Sequence, residues 1–145
     1  MPWWIAAERR IGKDAVHIPL LTVAYWCVLI AALLPYVCAY IAKAGAFGGR
    51  DNQKPRDWAA QQTGWRARAI AAQTNGFEGL PFFIGAVVIA HQLDANQGRL
   101  DLLAAAYVVF RLAFVALYIG GIGTARSAVF ALGLFTNIAI LFAGR

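Results

Sequence analysis

Seven residues of this chain place polar or charged groups in or beside long apolar runs. Arg68, Asn75 and Glu78 stand in WRARAIAAQTNGFEGLPFFIGAVVIAHQL (residues 65–93), Arg111 and Tyr118 in LDLLAAAYVVFRLAFVALYI (100–119), and Arg126 and Ser127 open ARSAVFALGLFTNIAILFA (125–143). A guanidinium, an amide and a carboxylate are costly in hydrocarbon, so they should face other helices or a wet cavity. Asn75 and Glu78 are three positions apart and Arg68 lies seven before Asn75, which puts all three on one stripe of a helix. Counted from the loop-side helix ends, Glu78 is ~18 Å deep and Arg111 ~14 Å deep. Two buried charges within about one turn in height predict an Arg111–Glu78 ion pair, within or between subunits. Holding helices together is a sufficient purpose for such a pair.

Nearer the surface, three helix ends converge: Arg68 and Asn75 open one, Tyr118 closes the next, and Arg126 with Ser127 opens the last. A helix N-terminus carries orphan N–H groups and partial positive charge, to which Arg126 adds a full one. Such a place lowers a thiol's pKa and holds a thiolate, with the Ser127 hydroxyl as a further donor. An alternative stays open, in which Ser127 is a cap and Arg126 a snorkelling topology anchor.

Other chemistries find less support. His91 has no Cys, His or carboxylate at metal-ligand spacing and His17 stands alone, so no metal site is expected. The glycine-rich turns lack a phosphate-loop lysine and a preceding strand, and Ser127 has no Ser-His-Asp context. Cys27 and Cys38 lie ~16 Å apart along one helix, too far for a bridge.

The elements that must position these residues are membrane helices. Of 145 residues 61% are hydrophobic and 14% charged, with a mean hydropathy of +0.59. The apolar residues cluster in runs of about twenty, enough to cross a ~30 Å hydrocarbon core. Four segments are expected: Ile18–Ala42, with Pro35 kinking it; Trp65–Leu93, bent at Pro81, with Gly76, Gly79 and Gly85 allowing close approach; Leu100–Ile119; and Ala125–Ala143. One long loop, 44–64, and two short connections make an all-α, antiparallel four-helix bundle in the membrane. Residues 1–17 form an interfacial lead-in in which Trp3 and Trp4 rest at the interface and Arg9, Arg10 and Lys13 face head groups, and 18–145 form the one transmembrane domain. The net charge of +6 fits anionic lipid and topology rather than nucleic acid. Lys43, Arg50, Lys54, Arg56, Arg66, Arg68 and Arg126 on the long-loop side outnumber Arg9, Arg10, Lys13, Arg99 and Arg145 on the other, which puts the long loop in the cytoplasm.

Arg68, the run Asn75-Gly-Phe-Glu78 with Pro81-Phe82, the Arg111 to Tyr118 spacing, and Arg126-Ser127 together resemble the MAPEG family, membrane-associated proteins in eicosanoid and glutathione metabolism. The likeness spans residues 20–143. It implies a homotrimer of four-helix subunits in a bacterial inner membrane, with glutathione between neighbours near the cytoplasmic face. Carried over by position, Arg68, Asn75 and Glu78 would hold the glutathione backbone, Arg111 and Tyr118 would line the site, and Arg126 with Ser127 would stabilise the thiolate. The thiolate would then act on a lipophilic electrophile or a lipid hydroperoxide. The chain departs from catalytic relatives where Ala71 replaces an arginine, Gln73 a histidine, and Phe114 and Phe130 polar ligands; its first segment also lacks an arginine. These losses remove charge-assisted bonds of roughly 1.5–3 kcal/mol each. They keep a second class open: a non-catalytic scaffold, lipid binder or accessory subunit of a larger membrane complex. A transporter is disfavoured, since inverted repeats and paired broken helices are absent.

Overall fold

The computed structural model describes residues 21–144, which are helical throughout their regular parts. Four long helices occur: α1 (Val23–Lys43), α3 (Gly64–Gln92), α4 (Gln97–Gly120) and α5 (Gly123–Leu141), with a short α2 (Pro55–Ala60) before α3. By length and composition α1, α4 and α5 can each cross a membrane. The longest, α3, has 29 continuous residues, with its apolar run interrupted by Arg66, Arg68 and Glu78. The lead-in 1–17, with Trp3, Trp4, Arg9, Arg10, Lys13 and His17, lies outside the described residues, as do Ile18 and Arg145.

Each expected segment has a long helix among the described residues, and three of the four are long and apolar enough to cross a membrane. Among the described residues the first runs from Val23, where the Thr22 hydroxyl oxygen accepts the Tyr25 N–H at 3.3 Å as an N-cap. The Asn96 side chain caps α4 on the Arg99 N–H at 3.0 Å. Gly121, at φ +79°, ends that helix in the left-handed conformation that glycine tolerates. Helices α1 and α3 continue through Pro35 and Pro81.

The expected loop 44–64 is partly folded. It contains a 3₁₀ turn, Asp51–Gln53, and then α2, with Pro55 at its start and Asp57 in its first turn. Trp58 anchors this piece: it is 8% exposed, donates Nε1–H to the Ala46 carbonyl at 3.3 Å and meets Phe47 edge to face.

Packing is uneven around the four long helices. Helix α1 rests on α3 and α4, α5 rests on α4 and α3, and α1 and α5 do not touch. At the α1–α3 crossing a side chain on Gly76 would place its Cβ 2.7 Å from Pro35 Cγ, so only glycine allows that approach. Gly79 faces the Tyr107 hydroxyl, whereas Gly85 faces open space and brings no helices together. Cys27 and Cys38 are free and buried. Phe83 stacks on Tyr107 with ring centroids 4.0 Å apart in the main core. The outer faces of α1 and α5 stay apolar and exposed, Leu33, Tyr40, Leu132 and Phe135 among them.

Polar contacts pin both ends. Away from the long loop, Asp101 accepts the Ala24 N–H at 2.8 Å and the Gln97 amide at 2.7 Å. His91 Nδ1 bonds the Val87 carbonyl at 2.8 Å and Nε2 pairs with the Thr22 hydroxyl at 3.2 Å. A carbonyl only accepts, so Nδ1 carries the proton and Nε2 receives the threonine O–H. Tyr25 stacks on the same imidazole at 4.4 Å. On the loop side, Arg68 Nε donates to the Ile119 carbonyl at 2.8 Å and Arg66 to the Ala44 carbonyl at 3.2 Å. Each guanidinium thus satisfies a carbonyl that a helix terminus leaves orphaned.

Candidate functional site

Between α3, α4 and α5 lies a groove of about 230 Å³ whose walls include Asn75, Glu78, Tyr107, Arg111, Phe114 and Asn137. A second cavity of about 240 Å³ lies toward the long loop, walled by Asn75, Phe114, Tyr118, Arg126, Ser127 and Phe130. Asn75, Phe114 and Phe130 border both, so the two form one cleft with two arms. Six of the seven residues singled out from the sequence line it.

The seventh, Arg68, does not. Its Nε is committed to Ile119, and its guanidinium carbon lies 3.4 Å from where a Cβ on Gly121 would stand. The three helix ends do converge here, but the guanidinium serves the end of α4.

Arg111 is 7% exposed and donates Nη1–H to the Asn75 Oδ1 at 3.0 Å. The expected Arg111–Glu78 ion pair is absent within the chain. Asn75 lies one helical turn nearer the loop on the same stripe and takes the guanidinium instead, leaving Glu78 exposed on the rim without a hydrogen bond or ion pair among the described residues. Asn75 matches the height of Arg111 more closely, and three residues along a helix also turn the side chain by about 60°. The guanidinium lies over the Phe114 ring at 4.7 Å, a cation–π contact. Its Nη2 is buried with no hydrogen-bond partner.

In the loop-side arm, Arg126 stacks over the Tyr118 ring at 4.3 Å. The Ser127 hydroxyl donates to the Gly123 carbonyl at 3.2 Å, within its own helix. Phe114 packs edge to face on Tyr118 at 5.4 Å and tilted on Phe130 at 6.0 Å. These aromatics form the waist between the arms.

Two polar wall residues, Tyr107 and Asn137, escaped the sequence reading. Asn137 is 3% exposed, and its Oδ1 is buried without a partner. The signal was present: Arg126, Phe130, Gly133 and Asn137 recur at helical spacing, so the amide shares a face with the arginine.

Chemically, the cleft offers two guanidiniums, one carboxylate, two amides, two phenol hydroxyls and a serine hydroxyl, set among aromatic and aliphatic walls. No group of three metal-ligating side chains occurs among the described residues. A family model, MAPEG family, matches residues 23–144. No curated protein and no solved structure matches the chain.

Proposed function

The chain belongs to the MAPEG family of membrane proteins, and from that premise we propose that its cleft binds glutathione and presents the thiolate to lipophilic electrophiles or hydroperoxides. The observation that carries this reading is the buried Arg111 Nη2, a charged donor with no acceptor among the described residues. Native structures rarely leave such a group unmet, and an anionic ligand oxygen would meet it.

The charges match as well. Glutathione carries two carboxylates and one ammonium; the cleft sets Arg111 and Arg126 against the former and Glu78 against the latter. Asn75 fixes the Arg111 guanidinium through its 3.0 Å hydrogen bond. Arg126, beside the N-terminus of α5, stabilises negative charge on sulfur. Ser127 contributes by rotating its hydroxyl away from Gly123. Bound there, the thiolate supplies a nucleophile: a carbon–sulfur bond forms at the electrophile and the leaving group departs with the electron pair. The aromatic waist and apolar arm admit the electrophile from the bilayer and keep water out. The protein then works as four membrane spans, assembled as a trimer whose neighbours complete the cleft, with the long loop cytoplasmic.

Arg68 and Ser127 favour a second reading, since Arg68 Nε and the Ser127 hydroxyl are already bonded inside the fold and Phe114 and Phe130 add no donor. On that reading the protein is a lipid-binding scaffold or an accessory subunit of a membrane complex. Calorimetry in detergent with millimolar glutathione, with a conjugation assay on a chlorinated nitrobenzene, separates them. Saturable binding lost in Arg111→Leu, together with thioether product and released chloride, supports the first. Absence of both heat and product leaves the second.

A further inference from the structure

Arg66 and Arg68 stand two positions apart on α3 and turn to opposite sides. Arg66 reaches the Ala44 carbonyl just past α1 at 3.2 Å, and Arg68 Nε donates to the Ile119 carbonyl in the last turn of α4 at 2.8 Å. The second bond lies at a junction. Helix α4 ends at Gly120, Gly121 takes the left-handed conformation at φ +79°, and α5 begins at Gly123. The Arg68 guanidinium covers that turn: its Cζ, Nε and Nη2 lie 3.4, 3.5 and 3.7 Å from where a Cβ on Gly121 would stand.

The turn also sets two helix ends of opposite sign side by side. The C-terminus of α4 is partly negative and the N-terminus of α5 partly positive, so each weakens the field of the other. The start of α5 has no side-chain cap, and its first N–H groups remain available to an anion. A guanidinium bonded to the α4 carbonyl offsets the negative end and leaves the positive end to act. From Gly121 to Ser127 is six positions, ~9 Å at helical rise and about one Debye length at physiological salt. The other titratable or charged groups near this start are Tyr118 and Arg126 in the loop-side arm and Glu78, Tyr107 and Arg111 in the other arm. Helix α1 adds none, since it does not touch α5.

We infer that Arg68 is a positioning residue and not a glutathione ligand: from α3 it fixes the α4–α5 turn and offsets the negative end of α4, so that Arg126 and the start of α5 act on the thiolate. This rests on the glutathione reading proposed above and adds the residue that tunes it from outside the cleft. Arg66, bonded at the end of α1, has no such part.

The test uses a thiol that needs no ligand. Ser127→Cys places one in the loop-side arm, and its alkylation by iodoacetamide is followed against pH in the detergent-solubilised full chain. Cys27 and Cys38, 5% and 0% exposed, give the slow background measured in wild type. A positive neighbour favours the thiolate, so adding Arg68→Leu should move the alkylation midpoint up by about half a pH unit. Arg68→Lys, which keeps the charge, should bring most of that back. Arg66→Leu removes the same charge from the other side of α3 and should leave the midpoint unmoved. Should Arg68→Leu fail to accumulate, Arg68→Gln, neutral but still carrying an N–H donor, should raise the midpoint likewise. No rise in the neutral variants, or an equal rise from Arg66→Leu, overturns the inference. Glutathione is then titrated into Arg68→Leu with Ser127 intact, read by heat and by ultraviolet thiolate absorbance. Affinity within about threefold of wild type with the thiolate midpoint raised supports the inference. A loss of affinity beyond roughly tenfold at an unmoved midpoint makes Arg68 a ligand and overturns it. Should wild type give no glutathione heat, the proposed function fails, while the introduced thiol still decides the role of Arg68.

Discussion

The polar groups where α1, α3 and α4 meet, far from the long loop, and those along the α4–α5 groove obey different accounting. At the first place Thr22, His91, Asp101, Gln97 and two backbone N–H groups are joined by hydrogen bonds that leave no buried side-chain atom there unmet among the described residues. In the groove Arg111 Nη2 and the Asn137 Oδ1 are buried and unmet, and Glu78 stands on the rim without a partner. Both regions place costly groups among apolar helices, yet only one repays the cost within the chain. Satisfied polar clusters hold a fold; unsatisfied ones mark where something else arrives.

That contrast breaks most visibly at the closed side. Gly76→Leu drives a side chain into Pro35, where even a Cβ would stand 2.7 Å away. It should cost up to about 3 kcal/mol of stability by overpacking. Gly85→Ala, which faces open space, should leave thermal unfolding in detergent unchanged. Equal losses in both would mean that the α1–α3 crossing is not the tight contact described.

At the open side the effect moves from stability to binding. Arg111→Leu should weaken glutathione by about 2 kcal/mol, the worth of charge-assisted hydrogen bonds, while unfolding shifts little because an orphaned buried charge leaves with it. Calorimetry and thermal unfolding on the same sample read both. The converse holds for Asp101→Ala, which strips the cap from the Ala24 N–H. It should lower stability by about 1 kcal/mol and leave glutathione affinity where it was. The smallest change expected is a gain. Phe130→Tyr adds one hydroxyl to the waist of the cleft and should tighten glutathione by less than about 1 kcal/mol, seen as a shift of the titration midpoint.

Much of this was legible in the chain itself. Runs of apolar residues bounded by Lys43, the Gly120-Gly121 pair and the Asp94–Arg99 turn place the long helices to within a few residues, because length and hydropathy decide a membrane helix. The stripe of Arg68, Asn75 and Glu78 was equally readable from spacing. What spacing could not supply is which partner a side chain meets across helices. Arg111 met Asn75, about one turn nearer the loop than Glu78 and turned about 60° from it, and Arg68 was claimed by the end of α4, whose C=O groups no pattern advertises. Helix α2 was hidden in a stretch read as loop, since six residues fall below any periodic signal and Trp58 alone fastens them. Asn137 was overlooked because a lone amide draws less notice than a charge, although burial without a partner makes it as informative.

The central claim is that the α3–α4–α5 cleft waits for a ligand rather than for completion by protein alone. A structure of the full chain in lipid nanodiscs with millimolar glutathione tests it directly. The account predicts ligand density running from Arg126 past Asn75, with an anionic oxygen within hydrogen-bond distance of Arg111 Nη2. Side chains of a neighbouring copy filling the groove and accepting from that same nitrogen, with no ligand present, would contradict it.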